Sequence, residues 1–209
     1  MFRPSLEDRK KYIAEMATKV FARNGYMAAS LQDIAKEAGI SKAGLYHYFK
    51  NKEDILYYLL KTKHYDHLKA LKDCMKTCEE KGLEPEETFR KLIHTYANYI
   101  NNEKELRLVV LQDRHQLTKA NKRGLRKIEQ EILRTLRDQV RKLPGISKKY
   151  DPNVISFLII AMSHWLGSWL REDGKLSQGE AITQSAEIIL HGAFQKIHSG
   201  KTKSFKSKK

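Results

Sequence analysis

The sequence has little cysteine and no apolar run long enough to cross a bilayer. Two of its 209 residues are cysteines, Cys74 and Cys78, which excludes a disulfide framework and favours a reducing compartment. The first ten residues, MFRPSLEDRK, lack the apolar segment of a signal peptide. We therefore expect a cytoplasmic protein without a membrane partner.

Acidic residues are scarce relative to basic ones. The chain carries 40 Lys and Arg residues against 25 Asp and Glu residues, which gives a formal net charge of +15. This surplus is expected of a protein that binds a polyanion, although charge alone does not distinguish DNA from RNA. Nothing in the pattern suggests a sheet, and the predicted fold class is all-α.

Enzyme motifs are lacking as well. The chain contains no GxxxxGK[ST], HExxH or GxSxG sequence, and its eight histidines are scattered. His67, Cys74 and Cys78 fall on roughly one face of a predicted helix, so a soft-metal or redox site is one interpretation. Zinc ligands normally come from a short loop or from two elements, and cysteines four apart on a helix do not easily form a disulfide. We predict no catalytic residue, no metal site and no bound cofactor, and leave the redox role of the two thiols open.

Residues 30–49, SLQDIAKEAGISKAGLYHYF, contain two short amphipathic segments on either side of a glycine. Ser30 precedes Asp33 by three residues, which is the pattern of a helix N-terminus, and apolar residues then recur at helical spacing. Gly39 suits the left-handed residue that ends such a helix. The stretch therefore predicts a helix-turn-helix, whose second helix enters the major groove of DNA.

The second helix is predicted over residues 42–48, with Leu45 and Phe49 directed inward. Its outer surface combines a lysine for phosphate or guanine, small residues that permit close approach, and hydroxyl and imidazole donors. Lys52, one turn further on, can hold the phosphate backbone. An alternative is that the aromatic run is only core, but Leu45 and Phe49 already supply the inward face. The predicted DNA-binding residues are Ser30, Ser41, Lys42, Ala43, Gly44, Tyr46, His47, Tyr48 and Lys52.

The pattern A-x-E-A-G-I-S-K-x-x-L-Y-x-Y-F-x-N-K-E-x-I-L at residues 35–56 resembles the DNA-binding signature of the TetR family of one-component transcriptional regulators. The match is long and ungapped. The resemblance implies a small DNA-binding head, a larger helical body, and a long fourth helix that links the effector site to the head. The predicted domains are a helix-turn-helix domain at 1–52, an effector-binding and dimerisation domain at 53–198 and a basic disordered tail at 199–209.

Within the body, a short helix is predicted at 103–112 and a long basic helix at about 118–143. We interpret most of the charges on the basic helix as a solvated face, with attraction of an anionic effector or of DNA as the alternative. The last two predicted helices are more apolar than a single core of this size requires, which suggests that they pair with their copies in a homodimer. The alternative is that both are internal core. The predicted interface residues are Phe157, Ala161, Ala186, Ile189, Ala193 and Phe194.

The body also has more aromatic surface than a connection between head and interface needs, which favours an effector cavity. The predicted lining residues are Tyr65, Phe89, Tyr96, Tyr99, Phe157, Trp165 and Trp169. Residues 165–177, WLGSWLREDGKLS, are similar to the C-terminal core of TetR-family members that respond to acyl-CoA thioesters. This resemblance implies acyl-CoA as a reversible effector, whose apolar tail would match the lining and whose anionic head would match the basic helix. Core or dimer packing is the alternative for the two tryptophans.

These features predict a homodimeric transcriptional repressor that a small molecule releases from palindromic double-stranded operator DNA. Two alternatives remain open. One is a DNA-binding architectural protein without an effector, and the other is a repressor of the multidrug-efflux type that responds to cationic drugs.

Overall fold

The structure, a computed structural model, describes residues 5–101, 114–143, 150–170 and 174–194, including all side chains there except those at 167, 168, 193 and 194. The described part consists of eight α-helices, one 3₁₀ turn and loops, with no strand, which confirms the all-α prediction. The predicted helix at 103–112 and the tail at 199–209 lie outside the described residues. The helices are α1 (Leu6–Asn24), α2 (Leu31–Glu37), α3 (Lys42–Tyr46), α4 (Lys52–Glu80), α5 (Pro85–Asn101), α6 (Lys119–Lys142), α7 (Pro152–Trp169) and α8 (Gln178–Phe194), and the 3₁₀ turn is Arg114–Gln116.

Helices α1, α2 and α3 and the first turns of α4 form the head. Helices α1 and α2 each begin with a capping box, in which Ser5 pairs with Asp8 and Ser30 pairs with Asp33. These caps satisfy backbone N–H groups that an isolated helix would leave unpaired. The buried residues of the head form one core, which includes Ile13, Val20, Phe21, Ile34, Leu45, Phe49, Ile55, Leu56 and Leu60 and also receives Leu117 and Leu125 from the chain before and within α6.

The second core lies in the body, between α4, α5, α6, α7 and α8. Its largest fully buried side chains come from α4 and α5, namely Leu71, Phe89, Leu92 and Ile93. Arg90 of α5 is paired with Glu187 of α8, which fixes these helices at the edge of the core. Burial of this apolar surface is the main favourable term in holding the five helices together.

Helix α4 runs through both cores. Ile55, Leu56, Leu59 and Leu60 belong to the core of the head, whereas Leu68 and Leu71 belong to the core of the body. Asn51 caps its N-terminus by accepting the backbone N–H of Asp54 at 2.8 Å. A displacement of this helix in the body is therefore also a displacement within the head.

Candidate DNA-reading surface and ligand cavity

The turn between α2 and α3 is built from short-range hydrogen bonds. Gly39 has a φ of 66°, a left-handed conformation that a side chain would strain. Beyond it, the backbone N–H of Ile40 donates to the carbonyl oxygen of Ala35 at 3.0 Å, which closes the end of α2. The hydroxyl of Ser41 then accepts the backbone N–H of Gly44 at 2.9 Å and starts α3. The predicted helix-turn-helix is therefore present, although α3 ends at Tyr46 rather than at residue 48.

The outer surface of α3 presents four of the predicted DNA-binding side chains to solvent, namely Lys42, Ala43, Tyr46 and His47. Leu45 and Phe49 anchor the opposite side in the core of the head. Tyr48 is half-buried against that core, so its ring has a packing role as well. The hydroxyls of Ser30 and Ser41 are occupied as helix caps, and Gly44 lies at the first turn of α3, where a Cβ would stand 3.2 Å from the Ser41 oxygen.

Lys52 does not extend from the head as the phosphate contact that the sequence predicts. Its ammonium group lies 4.4 Å from the centre of the Tyr26 ring. It also donates hydrogen bonds to the carbonyl oxygens of Tyr26, Met27 and Ala29, the last at 2.7 Å. A lysine has three donors, and here each of them has a carbonyl acceptor in the loop between α1 and α2. The structure thus gives Lys52 the role of holding this loop against the start of α4.

A cleft of about 320 Å³ between α1 and α3 adds two residues that the sequence analysis did not select. Arg9 and Tyr12 of α1 line this cleft beside Ser41, His47 and Tyr48. An arginine next to a recognition helix can contact a phosphate on the flank of the groove. No local motif marks Arg9, because its position beside α3 depends on how α1 packs across the head.

The second candidate site is a cavity of about 340 Å³ in the body. Its wall combines apolar side chains with histidines, tyrosines and several charged groups. Helix α4, whose first turns belong to the head, contributes one side of this wall. The lining residues are Lys63, His64 and His67 of α4, Tyr96, Tyr99 and Ile100 of α5, Arg114 of the 3₁₀ turn, Arg126, Glu129, Gln130, Ile132 and Leu133 of α6, and Phe157, Ile160 and His164 of α7.

The acidic residue of this wall, Glu129, is held between two basic side chains. Arg114 donates to its carboxylate at 2.7 Å, and His64 lies 3.2 Å from its other oxygen. Burial acts to raise the pKa of Glu129, but the hydrogen bond from His64 and the positive charge of Arg114 outweigh it, so the pKa is lowered. With Glu129 held by Arg114 and His64, Arg126 adds a positive charge to the described part of the wall.

The uncharged polar part of the wall is formed by His67, Tyr96, Tyr99 and His164, here called the His–Tyr cluster. The His67 ring stacks on the rings of Tyr96 and Tyr99, with centroids 4.2 Å and 4.7 Å away. Burial lowers the pKa of His67 to about 3 and that of His164 to about 4, so both imidazoles are neutral near pH 7. Burial likewise raises the pKa of the Tyr96 phenol.

The structure brings together only some of the predicted effector residues. Tyr96, Tyr99 and Phe157 line the cavity. Phe89 is only 1% exposed and lies in the core of the body, and Tyr65 is half-exposed on α4. Trp165 and Trp169 are 69% and 64% exposed and line a separate groove between α7 and α8. An α-helix that is apolar on several sides gives no signal for which side faces a cavity, so the sequence does not separate these cases.

The predicted dimer residues also fall on more than one side of their helices. On α7, Phe157 and Ala161 are exposed, and Val154, Leu158, Trp165 and Trp169 continue the same apolar surface. On α8, Ile188 is 72% exposed, whereas Ala186 is buried in the core of the body and Ile189 is half-buried. The side chains of Ala193 and Phe194 lie outside the described residues. Among the described side chains of α7 and α8, the exposed apolar residues are therefore those of the α7 surface together with Ile188.

Two further features concern metals and membranes. Within residues 5–101, 114–143, 150–170 and 174–194, no group of three or more His, Cys, Asp or Glu side chains is arranged to hold a metal ion. Cys78 is buried and Cys74 half-buried, and both are free thiols; burial raises the pKa of Cys78. Among the helices in the described part of the chain, none is long and apolar enough to cross a membrane.

Comparison with known proteins agrees with this architecture. Residues 82–193 match the model of the tetracyclin repressor-like C-terminal domain. The HTH-type regulator YhgD of Bacillus subtilis, itself uncharacterized, is 29% identical over 74% of this chain and 80% of its own. The regulator PfmR of Thermus thermophilus superimposes with a TM-score of 0.75 at 26% identity, over 88% of this chain and 99% of its own.

A complex of AibR with isovaleryl coenzyme A and operator DNA has a TM-score of 0.74 at 22% identity, over 89% of this chain and 98% of its own. At 22% identity, this similarity shows a shared fold and nothing further. The head also matches a family model, since residues 13–59 match the model for bacterial regulatory proteins of the tetR family. The match at residues 82–193 alone covers more than half of the chain. The protein therefore belongs to the tetR family of DNA-binding transcription regulators, which bind operator DNA as homodimers and bind small-molecule effectors.

Proposed function

We propose that the protein is a repressor that a small amphipathic anion, of the acyl-CoA class, releases from a palindromic operator in the cytoplasm. The observation that carries this proposal is the course of α4. Its first turns are buried in the head with Ile55 and Leu56, and its middle lines the cavity with His64 and His67. Because one rigid helix belongs to both sites, occupation of the cavity and the position of α3 are linked.

The lining of the cavity supports the chemical class of the effector. Ile132, Leu133 and Ile160 provide an apolar surface for a hydrocarbon chain. Arg126 provides positive charge for a carboxylate or phosphate group. An acyl thioester of coenzyme A carries both an apolar tail and phosphates, and AibR has been solved with such a molecule and operator DNA together. A cavity of about 340 Å³ holds only part of such a ligand, so the nucleotide portion would lie at the basic surface of α6.

The same charges oppose the efflux-type alternative. A cationic drug needs an uncompensated acid or an aromatic cage. Glu129 is already held by Arg114 and His64, and the remaining described charges on the wall are positive. The described wall therefore offers a cation no uncompensated carboxylate, whereas Arg126 offers an anion a positive charge.

The DNA-binding part of the proposal uses the exposed surface of α3. Lys42, Tyr46 and His47 are directed to solvent, while Leu45 fixes the helix to the head. Arg9 would contact the phosphate backbone at the flank of the same surface. The exposed α7 face would pair with its copy in a second protomer and place two heads on successive half-sites, about 34 Å apart. An effector that prefers another spacing of the heads then weakens DNA binding.

The experiment is a titration of DNA binding and ligand binding in parallel. A fragment of DNA from upstream of the protein's own coding sequence is bound by the purified dimer, and a panel of acyl-CoAs, free fatty acids and cationic drugs is added. Acyl-CoAs are expected to bind by calorimetry and to release the DNA, and Arg126→Ala to weaken both effects about tenfold. Arg123→Ala is the matched control, because Arg123 lies on the same helix but does not line the cavity.

Other outcomes lead to different conclusions. Release by a cationic drug and by no thioester would assign the protein to the efflux type. DNA binding that no compound changes would favour the architectural alternative. Equal responses of Arg126→Ala and Arg123→Ala would show that the effector binds outside this cavity.

A further inference from the structure

The His–Tyr cluster contains two polar atoms whose hydrogen bonding is incomplete. His67 Nε2 and His164 Nδ1 are buried, and neither has a partner among the residues that the structure describes. Most buried polar side-chain atoms are hydrogen-bonded, because leaving one unpaired costs free energy. Two such atoms on the wall of one cavity therefore need an explanation that the packing of the protein does not provide.

The position of the proton on each imidazole ring decides whether its unpaired nitrogen donates or accepts a hydrogen bond. The His67 ring is neutral, and a neutral imidazole has one N–H and one bare nitrogen, so its Nε2 either accepts or donates a hydrogen bond. His164 Nε2 lies 3.5 Å from the hydroxyl of Tyr96. When that hydroxyl donates to Nε2, the Nδ1 of His164 carries the proton and is a donor. A group that both donates and accepts hydrogen bonds can therefore pair with His67 Nε2 and with His164 Nδ1.

We propose that His67 and His164 form a subsite for an alcohol hydroxyl, so that the preferred effector is an acyl compound with a hydroxyl group on its chain. A hydroxyl both donates and accepts, so it can pair with His67 Nε2 and His164 Nδ1 whichever of them carries the N–H. A keto oxygen can only accept, and a saturated chain does neither. The inference rests on the proposed function, since it assigns the ligand class of the same cavity.

The charge state of the cluster supports a neutral group rather than a second anion. Burial lowers the pKa of both histidines, so neither is an imidazolium that could balance a carboxylate. The cationic part of the wall, with Arg126 and Lys63, is made of different residues. The cavity therefore divides into a positive region for the anionic head and a neutral polar region for a group on the chain.

Side-chain packing leaves His164 able to reach a ligand. It is half-buried and lies on α7 with Phe157 and Ile160, which also line the cavity. The His67 ring is held by its stacking on Tyr96 and Tyr99, and it provides the fixed reference for the subsite.

The test compares acyl-CoAs of equal chain length that carry a hydroxyl at successive carbons or none. Binding is measured by calorimetry and release by mobility shift of the operator fragment. For the wild type, one hydroxyl position is expected to bind about tenfold more tightly than the saturated compound, as two hydrogen bonds would give. His67→Phe and His164→Phe, which keep an aromatic ring, are expected to reduce that preference to about twofold or less while binding of the saturated compound stays the same.

Two further variants separate hydrogen bonding from folding. His164→Asn retains an N–H donor near the position of Nδ1 and is expected to keep most of the preference. His94→Phe is the matched control, because His94 lies on α5 outside the cavity, where it is 3.1 Å from the hydroxyl of Thr183. All variants are compared for thermal unfolding, and a loss of preference counts only where binding of the saturated compound is retained.

Failure of the subsite and failure of the proposed function give different results. If the saturated compound and every hydroxylated compound bind equally and all release DNA, the subsite is refuted and the acyl-CoA effector stands. If none of them binds or releases DNA, both are refuted. A preference for hydroxyl that survives in both phenylalanine variants would place the contact elsewhere and also refute the subsite.

Discussion

The carboxylate of Glu53, in the first turn of α4, accepts the backbone N–H of Thr118, the N-cap of α6, at 2.8 Å. The side-chain amide of Asn121 donates to the same oxygen at 2.6 Å. Four residues before Thr118 lies Arg114, which binds Glu129 in the wall of the cavity. A short segment thus carries a cavity residue at one end and a head contact at the other, which gives the head a second connection to the cavity besides α4.

Replacement of Glu53 by alanine tests this connection. Glu53→Ala leaves the Thr118 N–H and the Asn121 amide without their acceptor, and we expect a decrease of about 2–4 °C in the midpoint of thermal unfolding. We also expect effector binding to reduce operator affinity less than in the wild type, because one of two connections is lost. Glu79→Ala, at the far end of α4, is the control, and equal changes in both variants would contradict the role of Glu53.

The same carboxylate gives a pH dependence. Burial acts to raise the pKa of Glu53, but hydrogen bonds from Thr118 and Asn121 outweigh it and the pKa is lowered. Because the folded-state pKa lies below the unfolded one, this contribution to stability is complete above the unfolded pKa, about 4.3, and is lost as the pH falls through the folded value. Chemical denaturation at pH values from roughly 5 down to roughly 3 should show a smaller decrease in the free energy of unfolding for Glu53→Gln than for the wild type.

Substitutions on the outer surface of α3 test DNA reading. Lys42→Ala and Tyr46→Ala are expected to abolish specific operator binding without changing the thermal midpoint, because both side chains are exposed. The remaining binding should be weak and should decrease steeply with salt. Lys76→Ala, which removes an equal charge from an exposed position on α4, is the control. Unchanged affinity in both α3 variants would rule out this surface.

Replacement of Lys52 is expected to change the free energy of unfolding more than the affinity for DNA. Lys52→Met removes the three hydrogen bonds to the loop between α1 and α2 and should lower the free energy of unfolding by about 1–3 kcal/mol. Lys50→Met, at an exposed position nearby, should leave it nearly unchanged. If Lys52→Met kept full stability and lost only DNA affinity, Lys52 would instead be a phosphate contact.

The exposed face of α7 should control assembly. Ala161→Glu places a charge among Leu158, Trp165 and the same residues of a partner, and an unpaired charge buried at an interface costs several kcal/mol, about 3–5 where a pair is broken. Sedimentation should show a monomer with reduced operator affinity. Ala120→Glu, at an exposed position in the first turn of α6, should remain dimeric. A dimeric Ala161→Glu would place the interface on another surface.

The parts that the sequence predicted well are those set by neighbours in the chain. The capping box at Ser30, the left-handed Gly39 and the inward pair Leu45 and Phe49 each follow from residues within one or two turns. Such short-range signals fix both the elements and their exposed faces. The helix-turn-helix and the all-α class could therefore be predicted before the structure.

The cavity depends instead on residues that are distant in the sequence. His64, Arg114 and Glu129 come from three elements, and no spacing shows that they meet. His164 gives one usable signal, since the single histidine of the largely apolar α7 suggests a specific contact. On α8, apolar residues occur on several sides, so periodicity does not distinguish the buried Ala186 from the exposed Ile188.

Leu117 and Leu125 complete the core of the head although they lie far beyond Leu60 in the sequence. A chimera that joined residues 1–60 to the body of another regulator would replace both leucines with whatever that body supplies. Poor complementarity there would leave a cavity or an overlap in the head. The specificity for DNA and the specificity for effector are therefore not freely interchangeable parts, and selection on one of them constrains the sequence that serves the other.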